Sequence, residues 1–345
     1  MEKTSQTSGP GAGLPPRARI TRIQYNDQDY SEEAISSIDT SLLDTSNNGI
    51  TWIDFMNVAD TASVQKFGQV FSLHPIIIED ILDTKDRPKI IDSEDFLLFD
   101  FNVFMLDPKN LEFTELQHCV LMTKNLIVTF QEGNTDFFRE VKDRLRNGID
   151  IIRKMGLDFL LYSLIDFIVG TYFTVMDDIE EVLDNLETDI VTNLDSKDIT
   201  LLQRLKRNLI FIRKSVWPVR EILNRMETID PAWISKGTHI YMRNLYDHVV
   251  TIIDIIETSR DILSSTFDIY LSSQGNKLNN IVKILTIISV IFIPLNFITG
   301  FFGMNWIIYP YEHDPFNYIG LVCVICTMIV ISYFATKAFK KRKWL

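Results

Sequence analysis

The chain has 345 residues, of which 46% are hydrophobic and 23% are charged, and its formal net charge at pH 7 is -12. Nucleic-acid-binding proteins carry a basic surface, so this composition argues against a nucleic-acid partner. The length predicts two or three folded units. Cys119, Cys323 and Cys326 form neither a zinc-type cluster nor a disulfide framework, which predicts a reduced, cytosolic environment for the soluble part.

The first segment, 1–17, is rich in Ser, Thr, Gly and Pro and lacks the apolar core of a signal peptide. It is predicted to be a disordered tail that stays in the cytoplasm. Residues 18–150 then alternate between short β-rich runs and short helical patterns, which predicts a compact α/β or α+β domain. We expect one helix over 63–73 to end before His74-Pro75, and we expect strands over 19–25, 50–55, 96–101, 119–122 and 126–130.

Residues 151–280 have helical periodicity and predict a helical cytosolic domain and stalk. Helices are expected over 158–191 and 199–226, the second with a kink at Pro218. The last pattern begins near His239 and continues without a proline as far as Pro294. Its apolar residues recur at steps of three, four or seven, which is typical of a helix that self-associates. They are Leu245, Val249, Ile252, Ile256, Leu263, Phe267 and Tyr270.

A charge-free stretch follows, from Ile284 to Tyr311. Because a bilayer core of about 30 Å is crossed by roughly 20 helical residues, we predict a first transmembrane helix over 281–302. A second is predicted over 319–336, after an external loop over 303–318.

The chain ends in a segment rich in Lys and Arg, 337–345, and Lys277 and Lys283 precede the first span. By the positive-inside rule these residues lie on the cytoplasmic side. Both termini are therefore predicted to be cytoplasmic, in a multi-pass protein of the cell inner (plasma) membrane.

One face of the first span is small or polar except at Val282 and Ile293. Its residues are spaced by three and four, and they are Asn279, Val282, Thr286, Ser289, Ile293, Asn296, Gly300 and Gly303. Small and hydroxylated residues also let membrane helices pack closely, so close packing is the alternative interpretation. As a whole the stripe indicates a pore built from several copies of the chain, with Val282 and Ile293 as apolar constrictions that gate by dewetting.

No carboxylate lies on this face. A divalent cation that loses its water would therefore find no charged ligand there, and Mg²⁺ releases water reluctantly. A hydrated ion held by amide and carbonyl oxygens fits this chemistry. The inside-negative potential would drive the ion inward, so no nucleotide is required, and the sequence contains no Walker-type glycine loop.

Several short motifs are distributed along the chain. They are, in one-letter code, HP (74–75), EDIL (79–82), RPK (87–89), LYSLID (161–166), LKRNL (205–209), WP (217–218), YDH (246–248), YLSS (270–273), KILTII (283–288), FIPLNFITG (292–300), FGMN (302–305) and KWL (343–345). The most specific is Gly303-Met304-Asn305 at the end of a first span, before a short loop and a second span. With these motifs the chain resembles the CorA magnesium/cobalt transporter family, over roughly residues 18–345.

The resemblance implies an α+β cytosolic domain of the α/β/α sandwich type, long stalk helices and two C-terminal transmembrane helices in a funnel-shaped homopentamer. It further implies that Gly303, Met304 and Asn305 form the selectivity filter and that Mg²⁺ is both transported and regulatory. Co²⁺ or Ni²⁺ could also pass. The partners expected are other copies of the chain, the lipid bilayer and divalent cations.

Regulation in this family uses magnesium bound between cytosolic domains. The resemblance places Asp80 at that site, with Asn244 where a carboxylate is usual, and we expect the neutral amide to weaken the site. Asp247 is a possible substitute ligand, and Glu79 with Asp166 matches a secondary site. The residues alone leave a second interpretation, in which Glu79 and Asp80 are an exposed acidic helix turn.

Two other functions are consistent with parts of the sequence. A zinc transporter of the same fold would differ at the filter, where Met304 favours magnesium. A membrane-tethered metal-dependent hydrolase would use Glu79, Asp80 and Asp83, but no clustered histidines, nucleophile elbow or second ligand set supports it. We therefore expect no catalytic residues.

Overall fold

The computed structural model describes residues 18–43, 49–107, 112–149, 151–192, 196–306, 315–342 and 344. The predicted tail over 1–17 lies outside them. The chain forms two compact units, one of Met1–Thr188 with Asp195–Ser265 and the other of Asp189–Leu194 with Thr266–Leu345. The predicted domain boundary at residue 150 does not separate these units, because the α/β part and most of the helical part belong to the first.

A seven-stranded mixed sheet forms the centre of the first unit. Its spatial order is β2-β1-β3-β7-β6-β5-β4, and β3 with β7 is the parallel pair. The strands are β1 (Arg19–Tyr25), β2 (Tyr30–Ile35), β3 (Ile50–Met56), β4 (Lys89–Asp92), β5 (Phe96–Asp107), β6 (Glu112–Thr123) and β7 (Leu126–Gln131). All five predicted strands are present, and β2 and β4 are the edge strands that were not predicted.

Helices cover both faces of this sheet, as expected of an α/β/α sandwich. On one face α1 (Thr61–Val70) and α2 (Pro75–Leu82) pack on the core, where Phe55 of β3 lies 6.3 Å from Phe67 of α1 between ring centroids. Successive strand residues point to opposite faces. Accordingly Trp52 of β3 meets Phe138 on the other face at 6.1 Å, beside α3 (Arg139–Asn147) and α4 (Leu157–Thr192).

A buried carboxylate, Asp54 of β3, also faces this second helix layer. It accepts hydrogen bonds from Thr129 Oγ1 and Gln131 Nε2, both at 2.5 Å, and from Lys142 Nζ of α3 at 2.6 Å. Asp54 is 0% and Lys142 4% exposed in their side chains. The charge is thus fully compensated by groups from β7 and α3, as a buried charge must be.

The dipeptide His74-Pro75 begins a helix. Helix α1 ends at Val70, as expected before a proline, but Pro75 then occupies the first turn of α2 and His74 caps it, with Nδ1 accepting from Ile76 N at 3.3 Å. Proline suits this position because its fixed φ is helical and its missing N–H would have no partner there. Helix α2 therefore carries Glu79 and Asp80 towards the start of β4.

Three long helices complete the chain: α5 (Ser196–Met226), α6 (Lys236–Trp306) and α7 (Pro315–Lys341). Pro218 and Pro294 lie inside α5 and α6 without dividing them. Helix α6 continues past the predicted end of the first span at 302, so the Gly303-Met304-Asn305 motif lies in its last turn rather than in a loop.

The first part of the predicted self-association seam of α6 is not available to another chain. Leu245, Val249, Ile252 and Ile256 are each 0% exposed within the single chain. They pack inside the first compact unit, so for these four residues the prediction of assembly between copies is wrong, whereas Phe267, further along the predicted seam, is 36% exposed. The heptad-like spacing arose because a helix that is buried on one side in its own fold has the same periodicity.

Candidate functional site

Three described helical segments are long and apolar enough to cross a membrane by length and composition. They are Leu157–Ile190, Lys236–Gly303 and Val322–Lys341, with mean hydropathies of 1.7, 2.4 and 1.9. Burial separates them, because the apolar window of the first is 61% buried inside the fold and those of the others are 0% buried. The first is α4, whose Tyr172 hydroxyl donates to Asn102 O of β5 at 2.7 Å. The two segments with exposed apolar surface overlap the spans predicted over 281–302 and 319–336.

The unbroken helix α6 keeps the predicted stripe on one face, since residues three and four apart are neighbours on a helix surface. Within the single chain, Val282 is 52% and Ile293 66% exposed. A Cβ atom added at Gly300 or Gly303 would meet nothing within 4 Å. Packing inside one chain therefore does not require glycine at these positions, although glycine costs about 1 kcal/mol relative to alanine inside a helix.

Two threonine hydroxyl groups in this segment are bonded to the helix backbone. Thr286 Oγ1 donates to Val282 O at 2.7 Å, and Thr299 Oγ1 donates to Asn296 O at 3.0 Å. Their protons are used, so the oxygen lone pairs point outward as acceptors. On this face Thr286 consequently offers an acceptor, the polarity that suits the outward-pointing hydrogens of a hydrated cation.

The last turn of α6 contains the predicted filter residues Gly303, Met304 and Asn305, and α6 ends at Trp306. Gly303 is exposed, whereas the side chains of Met304 and Asn305 lie outside the described part of the structure. The last four carbonyls of a helix lack intrahelical partners and form the negative end of the helix dipole. The backbone of this turn therefore attracts a cation independently of any side chain.

Asp80, the predicted regulatory carboxylate, forms an ion pair with a lysine of its own chain. Its Oδ1 accepts from Lys89 Nζ at 2.6 Å, and the same ammonium group donates to Asp86 Oδ2 at 2.6 Å. Burial alone would lower the pKa of Lys89, but its hydrogen bonds to Asp80 and Asp86 outweigh burial and raise that pKa. Lys89 is therefore a permanent positive charge beside Asp80. Glu79, which precedes Asp80 on α2, is exposed to solvent.

The remaining predicted ligands lie on α4 and α6. Burial raises the pKa of Asp166, against the opposing effect of the nearby His248 and Arg144. One turn apart on α6, Asn244 Nδ2 and His248 Nε2 lie 3.3 Å from each other. Asn244 and Asp247 are exposed. Asp166 of α4 therefore lies close to His248 of α6.

The predicted regulatory residues do not form a metal site within one chain. They are Glu79, Asp80, Asp166, Asn244 and Asp247. Among the described residues, no group of three or more His, Cys, Asp or Glu side chains could hold a metal ion. A complete regulatory site would need ligands from a second copy of the chain. The same finding leaves the hydrolase alternative, which relies on Glu79, Asp80 and Asp83, without a described metal centre.

Comparison with known proteins decides the family. Residues 47–342 match the family model described as CorA-like Mg2+ transporter protein. The chain belongs to this family. It is 37% identical over 326 residues to the cobalt/magnesium transport protein CorA of Thermotoga maritima, covering 94% of this chain and 92% of that protein. The family is described as one of transporters, in agreement with the prediction that the chain is not an enzyme.

A solved structure confirms the CorA fold over nearly the full length of the chain. The complete CorA magnesium transporter of Methanocaldococcus jannaschii aligns with a TM-score of 0.77 at 22% identity, covering 96% of this chain and 100% of that one. The cytoplasmic domain of ZntB from Vibrio parahaemolyticus aligns with a TM-score of 0.57 at 13% identity, covering 75% and 98%. At such identities the likeness concerns the fold and does not distinguish magnesium from zinc.

Sequence reasoning missed the role of Lys89 in this CorA-family chain. The tripeptide Arg87-Pro88-Lys89 carried part of the family resemblance, but no contact was assigned to it. Its position becomes clear only in the fold, where the chain turns back after α2 and β4 starts at Lys89, beside Asp80. A lysine nine residues after an aspartate has no helical or strand periodicity that would have indicated an ion pair.

Proposed function

We propose that the chain is a Mg²⁺ transporter of the channel type, which also accepts Co²⁺ and, by similar chemistry, Ni²⁺. The observation that carries the proposal is an uncharged helix face, small or polar except at Val282 and Ile293, on one unbroken helix whose last turn contains Gly303-Met304-Asn305. The relative in Thermotoga maritima, named as a cobalt/magnesium transport protein, supports the choice of ions.

Copies of α6 would surround a central path, because one helix cannot enclose a pore. We propose the homopentamer implied by the family resemblance, with α6 inside and α7 outside. The exposed apolar surface of both helices supports burial against lipid or other copies. Gly300 and Gly303, which no intrachain contact requires, would allow the helices to approach closely.

The ion would pass with its water. Asn279, Asn296 and the outward lone pairs of Thr286 would accept hydrogen bonds from that water, and the carbonyls at the end of α6 would meet the ion at the filter with Asn305. Because no carboxylate faces the path, the ion is not trapped. Binding must be weak enough to permit release if conduction is to be fast. Val282 and Ile293 would form the apolar constrictions.

The membrane potential would drive uptake. Both termini would lie in the cytoplasm of a cell with an inside-negative inner membrane, since Lys337, Lys340 and Lys341 end α7 and Lys277 precedes the first span on the same side. A potential of 100 mV provides about 2.3 kcal/mol per charge, or about 4.6 kcal/mol for a divalent ion. No ATP hydrolysis is needed for this energy.

Cytosolic Mg²⁺ would close the path by binding between neighbouring subunits at Asp80, with Asn244 or Asp247 from the adjoining copy and Glu79 with Asp166 nearby. Two features of this chain weaken such a site. Asn244 has no charge, and Lys89 must be displaced from Asp80 before an ion can coordinate it. We therefore expect closure only at a comparatively high cytosolic Mg²⁺ concentration.

Ion flux into proteoliposomes tests the transport function. Full-length protein is reconstituted, an inside-negative potential is imposed, and entry of Mg²⁺, Co²⁺, Ni²⁺ and Zn²⁺ is followed with indicator dyes. We expect Mg²⁺ and Co²⁺ entry that depends on the potential and is lost in Asn305→Ala, with assembly unchanged by gel filtration. Asn280→Ala, which lies off the stripe, is the matched control. Flux of Zn²⁺ alone, or none with intact protein, would overturn the proposal.

A further inference from the structure

A basic groove lies on the first compact unit, between the segment that leads into β4 and the exposed side of α5. Its volume is about 700 Å³, within the roughly 300–1,000 Å³ that is typical of small-molecule sites. Five cationic side chains line it, against a single carboxylate, Glu221. They are Arg87, Lys89, Arg213, Lys214 and Arg225. These five cations lie in one concave surface of a chain whose net charge is -12.

Only part of this charge is compensated within the chain. Lys89 pairs with Asp80 and Asp86, and Arg213 Nε lies 2.9 Å from Glu257 Oε1. Arg225 is 3.6 Å from Asp92. Arg87 and Lys214 are exposed and have no ionic partner in the described part of the chain. Cations that repel each other in one concave surface create a potential that attracts anions.

An aromatic ring stands in the same groove. Trp217 is 38% exposed, and the guanidinium groups of Arg213 and Arg220 lie 5.9 and 5.7 Å from its ring centroid. Arg220 is held there because its Nε donates to Tyr246 Oη at 3.1 Å. Ile210, 39% exposed, adds apolar surface beside the ring. Planar guanidinium and indole groups together provide a stacking surface for a flat heterocycle.

We propose that this groove binds a nucleoside triphosphate as a ligand and not as a substrate for hydrolysis. Arg87, Lys214 and Arg225 would contact the phosphates, and the base would stack against Trp217. A ligand with phosphates but no ring would leave Trp217 unused, whereas a ligand with a ring alone would leave the cations uncompensated. The combination of several cations with an exposed indole in one concave site indicates a nucleotide.

Binding at the groove would also affect Asp80, because Lys89 lines the groove and bonds Asp80. A triphosphate that attracts Lys89 would weaken its hold on Asp80 and leave that carboxylate for a divalent ion. This coupling rests on the proposed regulatory role of Asp80. The nucleotide site itself does not, and it is tested by binding alone.

Isothermal titration of the full-length protein in detergent, with EDTA present to remove metal ions, tests the site. The ligands are ATP, inorganic triphosphate and adenosine. We expect ATP to bind at least tenfold more tightly than either of the other two, and its affinity to fall as salt screens the phosphates. Absence of ATP binding overturns the proposal. Equal affinity for ATP and triphosphate also overturns it, since the groove would then recognise charge alone.

Variants locate the site. Arg87→Gln with Lys214→Gln should lower the ATP affinity at least tenfold, and Trp217→Leu should lower the affinity for ATP but not for triphosphate. Lys206→Gln is the matched control, because Lys206 is an exposed cation of α5 outside the groove. Gel filtration and circular dichroism establish that each variant folds. ATP binding that is the same in all of these variants would place the nucleotide elsewhere and overturn the proposal.

Discussion

Replacing Lys89 with methionine should strengthen Mg²⁺ binding at Asp80 about fivefold. Methionine keeps most of the aliphatic stem and removes the ammonium group that lies 2.6 Å from Asp80 Oδ1. The Lys89 and Asp80 side chains are 31% and 20% exposed, so the pair contributes about 1 kcal/mol, at the upper end of the range for solvent-accessible pairs. Asp86 is 45% exposed and adds less. Since 1.4 kcal/mol corresponds to a factor of ten in affinity, 1 kcal/mol corresponds to about fivefold.

Two measurements on nucleotide-free protein check this value. Isothermal titration of the full-length protein with Mg²⁺ gives the affinity, and flux in proteoliposomes gives the Mg²⁺ concentration on the cytosolic side that halves uptake. In Lys89→Met the affinity for Mg²⁺ should rise about fivefold, and the Mg²⁺ concentration that halves uptake should fall about fivefold. Lys85→Met, an exposed lysine four residues earlier, is the control and should change neither. In an Asp80→Asn background the effect of Lys89→Met should disappear. An unchanged or weaker affinity in Lys89→Met would refute the reasoning.

Three further predictions concern other parts of the chain. Asn279→Ala should reduce Mg²⁺ flux severalfold, whereas Asn280→Ala, about 100° around the helix, should not; equal effects would contradict the assignment of the stripe. Gly300→Ala should insert into the membrane normally, because a single chain has space for its Cβ, yet lower the flux severalfold by separating the assembled helices; wild-type flux would argue against close approach there. Burial raises the pKa of Asp100 to about 7 and lowers that of His118 to about 4. As pH rises from 4 to 6.5, Asp100 therefore destabilises the fold and His118 stabilises it, so the two effects oppose each other. In Asp100→Asn the effect of His118 is no longer opposed by that of Asp100. The free energy of unfolding, and with it the unfolding temperature, should therefore rise more steeply over this range than in the wild type, with His118 contributing up to about 1.4 kcal/mol per pH unit; a slope no steeper than that of the wild type would contradict this.

The central sheet was predictable where strands are buried and not where they are at the edge. β3 and β7 are apolar runs buried along nearly their whole length, and their composition alone indicates strands. Edge strand β2 has Ser31, Glu32 and Glu33 exposed in succession, so it shows neither an apolar run nor an alternation. Edge strands have one free side and need less apolar surface, which leaves a weaker pattern.

For the candidate site, periodicity was sufficient along α6 and insufficient elsewhere. Residues of one helix face are fixed relative to each other by the helix repeat, so the stripe from Asn279 to Gly303 could be placed from the sequence. The partner of Asp80 depends on how the chain returns between α2 and β4. The seam at Leu245 shows the opposite limit, since its spacing is equally consistent with packing inside the chain and with assembly between chains.

The buried pair of Asp54 and Lys142 restricts how this domain can be synthesised or cut. All seven strands are complete at Gln131, but the ammonium group that compensates Asp54 comes from α3, 88 residues after Asp54 in the chain. A fragment that stops after the sheet would bury a carboxylate without its cation, at a cost of about 3–5 kcal/mol, a large part of the roughly 5–15 kcal/mol that stabilises a domain. During synthesis on the ribosome the sheet should therefore not reach its full stability until residue 142 has emerged. An expression fragment of the α/β region needs to extend through α3.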